Sequence, residues 1–128
     1  MEPKLINKIK KTVESHGLMM FVEASGINPV MLINECGLNY KTYEDIEFNW
    51  IDYLEGFTSS TYFDNGYGVS VIKHNGSYGG KQGLYELAIL KDGDLCYDTE
   101  ITDNVIGHLT PESVTEIMIK VQELKNYG

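Results

Sequence analysis

The sequence predicts an α+β fold: a helical N-terminal half, then a four-stranded antiparallel sheet (a meander) packed by a C-terminal helix. Apolar residues recur at helical spacing in the first half, alternate with polar residues from Phe57, and form a last helical stripe after Thr110. A length of 128 residues fits one domain. We therefore expect a single domain over residues 1–128, with a helical lobe at about 4–55 and a sheet-plus-helix lobe at about 57–126.

The first helical patterns lie before residue 40. Residues 4–15 place apolar side chains on one stripe, among the only cluster of lysines in the chain. Residues 18–36 predict two short helices, because Gly26 suits a helix end, Asn28 an N-cap and Pro29 the first helical residue.

Residues 42–55 form a third pattern. Thr42 and Asp45 have the spacing of a weak capping box. The apolar residues that follow at helical spacing are Tyr43, Ile46, Trp50 and Leu54. The stretch from Glu44 to Asp64 holds six acids and no lysine, which the solvated face of a helix would explain.

Alternation with a period of two predicts the sheet. Asn65-Gly66 and Asp92-Gly93 both supply residues that suit tight hairpin turns. The predicted strands are residues 57–64, 67–74, 84–90 and 95–99. Residues 101–109 are expected to be irregular.

The last helix begins with a hydroxyl N-cap at Thr110, proline at the first position and an acid in the first turn. Its apolar residues form one stripe, at Val114, Ile117, Met118, Val121 and Leu124. Such a stripe needs a sheet face to cover.

Composition limits the function. The net charge is -9, from 19 acids against 10 lysines, and no arginine occurs. Duplex DNA binding needs a basic footprint, and arginine is the usual reader of phosphate and guanine. An acidic surface could instead engage a basic surface of a partner. Two isolated cysteines make neither a disulfide framework nor a zinc site.

Residues 18–36 resemble the helix-turn-helix of Cro-like repressors, with Gly26 at the turn. Val22 and Glu35 depart from that pattern. The outward positions of the second helix would be Pro29, Val30, Ile33 and Asn34, none of them a cation. A small transcriptional regulator that uses this segment is therefore the alternative function, and direct binding of nucleic acid is not expected.

The glycine-rich loop at residues 74–83 lacks the Gly-Lys-Ser/Thr ending and following helix of a phosphate-binding loop. We expect a mobile hairpin loop with Tyr78 at its tip, a place suited to recognition. Asp92 and Asp94 lie at a turn without the length of a calcium loop. No nucleophile-and-base motif is present, so we predict no catalytic residues, no metal and no cofactor.

Residues 63–114 resemble a family of small accessory proteins of tailed bacteriophages. The matching pieces are Phe63 to Gly68, Gly83 to Ala88, and Tyr97 to Asp103. The resemblance implies a phage-encoded protein made in a bacterial host, and proteins of this kind often bind host machinery, including defence systems. It implies no catalytic residue.

We therefore predict a non-enzymatic protein-binding module, which the resemblance identifies with a phage accessory or inhibitory protein. The predicted contact residues are Tyr78, Lys81, Tyr67, Asp92 and Asp94. The expected partner is a host or phage protein with a basic or nucleic-acid-binding surface, and a homodimer is compatible with the sequence. No apolar run approaches membrane-spanning length, so we expect a soluble protein of the bacterial cytoplasm.

Overall fold

The computed structural model describes residues 1–126 and contains two compact units, residues 1–41 and the chain from Thr42 onward. The first unit is helical, and the second holds the antiparallel sheets and the last helix. The predicted α+β class is confirmed.

The first unit consists of three helices: α1 (Pro3–His16), α2 (Leu18–Ser25) and α3 (Pro29–Cys36). The predicted break between α2 and α3 is confirmed, since Gly26 adopts φ +70° and ends α2. The Asn28 side chain accepts a hydrogen bond from the Val30 amide at 2.8 Å and caps α3.

The second unit contains strands β1 (Asn49–Ile51), β2 (Gly56–Thr58), β3 (Ser60–Tyr62), β4 (Tyr67–Ile72), β5 (Tyr85–Lys91), β6 (Asp94–Leu95) and β7 (Ile106–Leu109), and helix α4 (Pro111–Gln122). β1 and β2 form a two-stranded ribbon, and the larger sheet has the order β3-β4-β5-β6 with β7 also paired to β5. All of these pairings are antiparallel.

Both predicted hairpin turns are present. Gly66 has φ +85° and Gly93 has φ +89°, a conformation that glycine adopts at low cost. The predicted strand at residues 57–64 corresponds to β2 and β3, which keep one register against β4 from Phe57 opposite Lys73 to Tyr62 opposite Gly68.

The predicted helix over residues 42–55 is wrong. Thr42 and Asp45 do form a capping box, but it encloses a single 3-10 turn at Tyr43–Asp45. The chain then becomes extended, and Trp50 pairs with Phe57. A continuous helix would place the acid pairs Glu44–Glu47 and Asp52–Glu55, each three residues apart, on one face, whereas aromatic residues favour the paired strand.

The predicted sheet also needs two corrections at its end. The fourth strand is only Asp94–Leu95 rather than residues 95–99. Ile106–Leu109, expected to be irregular, is a strand that pairs with β5 through Tyr85–Leu109 and Leu87–Ile106, making a five-stranded sheet. This strand has few alternating residues, so its pairing depends on the exposed edge of β5.

The core of the second unit lies between one sheet face and α4. Val69 and Val71 of β4 and Leu87 of β5 point to this face and are fully buried. Val114, Met118 and Val121 of α4 cover them and are equally buried, as the apolar stripe predicts. Each such side chain contributes about 1.5–3 kcal/mol relative to an exposed position.

The Asn65 side chain ties the β3–β4 turn to the end of α4. Its Nδ2 donates to the carbonyl oxygens of Val121, Gln122 and Leu124 at 2.9, 3.2 and 3.0 Å. Its Oδ1 accepts from the Tyr67 amide at 3.1 Å. One carboxamide thus donates to carbonyls at and just beyond the end of α4, where intrahelical donors run out, and the Val121 carbonyl also accepts from the Leu124 amide.

We predict that Asn65→Ala lowers the free energy of unfolding by about 2 kcal/mol, because partly buried carbonyls of α4 lose their donor. Urea denaturation followed by circular dichroism measures this loss. Asn49→Ala, at an exposed position of β1, is the matched control and should stay within about 0.5 kcal/mol of the wild type. Equal midpoints for the two variants would contradict the anchoring role.

Candidate functional site

The five predicted contact residues are not gathered at one place. Tyr78 and Lys81 precede β5 and are exposed, the Tyr78 side chain by 63%. Asp92 follows the end of β5, Asp94 begins β6, and both are also exposed. β5 has seven residues, so the two groups lie about 20 Å apart along the strand.

Tyr67, one of the predicted contact residues, offers little of its side chain to a partner. Its side chain is only 8% exposed because it alternates with Val69 and Val71 on the inner face of β4. The ammonium of Lys91 lies 5.6 Å from its ring centroid. A depression of about 320 Å³ beside Tyr67 is lined by the carboxylates of Asp98, Glu100 and Glu123, among other groups.

The glycine-rich loop, for which we expect mobility, is a series of hydrogen-bonded turns in this structure. The Ser77 hydroxyl accepts from the His74 amide at 3.0 Å and donates to the His74 carbonyl at 2.8 Å. The Tyr78 carbonyl accepts from the His108 amide at 3.2 Å, which attaches the loop to β7. Gly80 lies so close to His74 that an added Cβ would be 1.8 Å from its carbonyl oxygen.

The most exposed aromatic group lies elsewhere, on the β1–β2 ribbon. We call residues 49–58 the aromatic hairpin. Trp50, Tyr53 and Phe57 are exposed by 54%, 88% and 37%. Large aromatic side chains seldom remain this exposed together unless they serve a contact.

The exposed rings continue into buried ones. The centroids of Trp50 and Phe57 lie 5.2 Å apart in an edge-to-face arrangement, and Phe57 lies 6.3 Å from Phe48. Phe48 in turn lies 5.5 Å from Tyr85, which is part of the core. The surface rings therefore rest on packed neighbours, which lowers the entropy cost of ordering them in a complex.

The turn of the aromatic hairpin is held to the neighbouring loop. Glu55 adopts φ +52°, a left-handed conformation that costs a non-glycine residue about 1–2 kcal/mol. Its Oε2 accepts from Asn75 Nδ2 at 2.9 Å. Gly56 follows at a close approach where an added Cβ would lie 2.3 Å from the Lys73 carbonyl oxygen.

The charge around these rings is negative. Asp52 accepts a hydrogen bond from Trp50 Nε1 at 2.5 Å, which places a carboxylate at the rim of the indole. The six acids between Glu44 and Asp64 form no ion pair with any residue of the described chain. Three of them, Asp45, Asp52 and Glu55, accept hydrogen bonds from neutral groups of the chain instead.

One cation already contacts this group of rings. The Lys73 ammonium lies 5.7 Å from the Phe57 centroid and 5.0 Å from the Tyr85 centroid. Both distances are within the range of a favourable cation–π interaction.

A pair of tyrosines lies at the inner end of the ring cluster. The hydroxyls of Tyr43 and Tyr85 are 2.6 Å apart and share a hydrogen bond. Burial and this hydrogen bond raise the pKa of Tyr43 to about 12. This makes the phenol harder to ionise, so it stays protonated near neutral pH and serves the packing of the site.

Other candidate chemistry is not assembled. Within residues 1–126, no group of three or more His, Cys, Asp or Glu side chains is placed to hold a metal ion. Cys36 and Cys96 are free and buried. The Cys96 thiol donates to Asp98 Oδ1 at 2.9 Å, and burial raises its pKa, which opposes thiolate formation.

The helix-turn-helix segment forms the expected two helices but presents few groups suited to DNA. Ile33, predicted to point outward, is buried. The exposed positions of α3 include Met31, Asn34 and Glu35. Glu35 forms an ion pair with the amino terminus of Met1 at 3.6 Å.

Comparisons with protein families, curated proteins and solved structures found no match to this chain. In the part of the chain that the structure describes, none of the helices combines the length and apolar character needed to cross a bilayer.

The sequence analysis missed Tyr53 and Phe57 as contact residues and assigned Trp50 to a helix stripe. A usable signal was present. Phe48 and Trp50 alternate at a period of two, and Glu55-Gly56 separates them from the next β-type run. That pattern predicts a hairpin with its rings on one face.

We predict that Tyr43→Phe removes one alkaline titration step. Because the folded pKa of about 12 is above the ordinary value of 10.0, this phenol contributes stability below pH 10 that is lost as the pH rises to about 12. In the variant, the free energy of unfolding should fall less steeply over that range. Phenolate absorbance and urea denaturation measure the two effects, and an unchanged titration curve would contradict the assignment.

Proposed function

We propose that this chain is a non-enzymatic protein-binding module and that the aromatic hairpin is its contact surface. The supporting observation is the exposed Trp50–Phe57 pair with Tyr53, on a ribbon whose charged side chains are all acidic. Tryptophan and tyrosine dominate binding energy at protein interfaces because they bury large areas with few torsions to freeze.

The expected partner is a protein with a basic surface, such as one that itself binds nucleic acid. From Thr42 onward the sequence has five lysines and fifteen acids, so this part alone accounts for a net charge of -10. A field of this sign speeds encounter with a cationic partner and disfavours anionic ones. A phage accessory or inhibitory role in the bacterial cytoplasm extends this proposal and is supported by the sequence resemblance alone.

Site-specific photo-crosslinking tests the proposal. A crosslinking amino acid at position 53 should capture a stoichiometric partner from a bacterial host lysate, since Tyr53 is the most exposed ring of the aromatic hairpin. The same group at position 97, an exposed tyrosine outside the hairpin, is the matched control. Position 78 tests the rival surface at the glycine-rich loop.

Capture at position 53 alone, lost in Trp50→Ala, supports the aromatic hairpin. Capture at position 78 alone would move the contact to the loop. Equal capture at all three positions, or at none, would contradict a specific contact surface.

A DNA-binding regulator is the second candidate, supported by the helix pair α2 and α3 with its left-handed Gly26. The first unit has five lysines and four acids, so it is nearly neutral. Anisotropy titrations with duplex DNA at low salt test this candidate. Binding that is lost when Lys4, Lys8, Lys10 and Lys11 are replaced by glutamine would favour it.

A further inference from the structure

We propose that the aromatic hairpin recognises an arginine side chain in an extended basic segment of its partner. The guanidinium would stack on the exposed face of Trp50 and donate to the carboxylate of Asp52. This inference depends on the proposed function and specifies the chemistry of the partner.

The first argument is the geometry of Trp50 and Asp52. Trp50 is 54% exposed, and its Nε1 donates a hydrogen bond to Asp52 Oδ1 at 2.5 Å. The second oxygen, Oδ2, has no hydrogen bond or ion pair within residues 1–126. A planar cation can therefore lie on the ring and direct its N–H groups to a carboxylate that is already in place.

The second argument is that the same rings already bind a cation within the chain. Lys73 lies near Phe57 and Tyr85 on the inner side of the cluster. Trp50 has the strongest ring quadrupole of the group, and no cation–π contact to it occurs in the described chain. The exposed face of Trp50 is thus a second possible position for a cation, and no lysine of the described chain fills it.

The third argument is charge complementarity. Asp52 lies at the rim of the ring and forms no ion pair within the described chain, and Glu55 of the same hairpin adds a second negative charge whose Oε2 accepts from Asn75. Arginine suits this arrangement better than lysine, because its flat guanidinium stacks on an indole and donates several hydrogen bonds in a fixed plane. The chain has no arginine, so a second copy of itself cannot supply this group.

The test uses the purified full chain and labelled Gly-Ser-Arg repeat peptides, with Gly-Ser-Lys and Gly-Ser-citrulline repeats as probes of charge and shape. Binding is followed by anisotropy of the peptide and by fluorescence of Trp50, the only tryptophan. We expect the arginine peptide to shift the Trp50 emission and to bind at least about fivefold more tightly than the citrulline peptide.

Two substitutions locate the contact. Asp52→Asn and Trp50→Leu should each weaken arginine-peptide binding by about fivefold. Asp103→Asn removes the same charge at an exposed position between β6 and β7, outside the predicted contact residues, and its effect should be below about twofold. Circular dichroism confirms that each variant is folded, and the exposed position of Asp52 keeps that variant informative if Trp50→Leu is not.

Equal weakening by Asp52→Asn and Asp103→Asn would show that only overall charge matters and would overturn the proposal. Equal binding of the lysine and arginine peptides, or an unchanged Trp50 emission, would also overturn it. If position 53 still crosslinks a partner in any of these cases, the proposed protein-binding function is retained and only the proposed recognition of arginine is rejected. If no partner crosslinks at position 53, the aromatic hairpin is not the contact surface, and the protein-binding function is contradicted only if positions 78 and 97 capture nothing either.

Discussion

The Asn65 carboxamide connects the sheet to the helix that covers it. It donates to three carbonyls at the end of α4 and accepts from the amide that starts β4. The Asn126 side chain returns the link by donating to the Asn65 carbonyl at 3.1 Å. Because the turn and the helix end are joined here, the stripe of α4 stays aligned with β4 and β5, and the inner face of the sheet is shielded from water.

The aromatic hairpin depends on that alignment. Tyr85 is part of the covered core, Phe48 packs on Tyr85, and the exposed Trp50–Phe57 pair continues from Phe48. Each ring packs on the next, so the exposed rings are supported by the packed core. A binding surface built in this way loses little side-chain entropy when a partner arrives, so more of its contact energy is available for affinity.

Charge is distributed unequally between the two units, and the unit that contains the aromatic hairpin is the acidic one. The first 41 residues carry five lysines against four acids, while the remainder, at -10, carries all of the excess negative charge. The six acids from Glu44 to Asp64 lie along the segment that includes the aromatic hairpin. Apolar rings and carboxylates without an ion pair in the described chain thus occur on one element, and the proposed contact with a basic protein segment depends on this combination.

The sequence by itself determined the features that depend on neighbouring residues: the α+β class, the caps of α3 and α4, the glycine turns at Gly66 and Gly93, and the covering stripe of α4. Only the tertiary structure decided the features that depend on distant pairing. Residues 42–55 have helical spacing, yet Trp50 pairs with Phe57 in a ribbon. Tyr67 and Tyr78 are both tyrosines beside glycines, but Tyr67 lies on the covered face of β4 and is buried, whereas Tyr78 lies in a loop and is exposed. Local spacing describes which faces an element has, whereas burial depends on which partner covers each face.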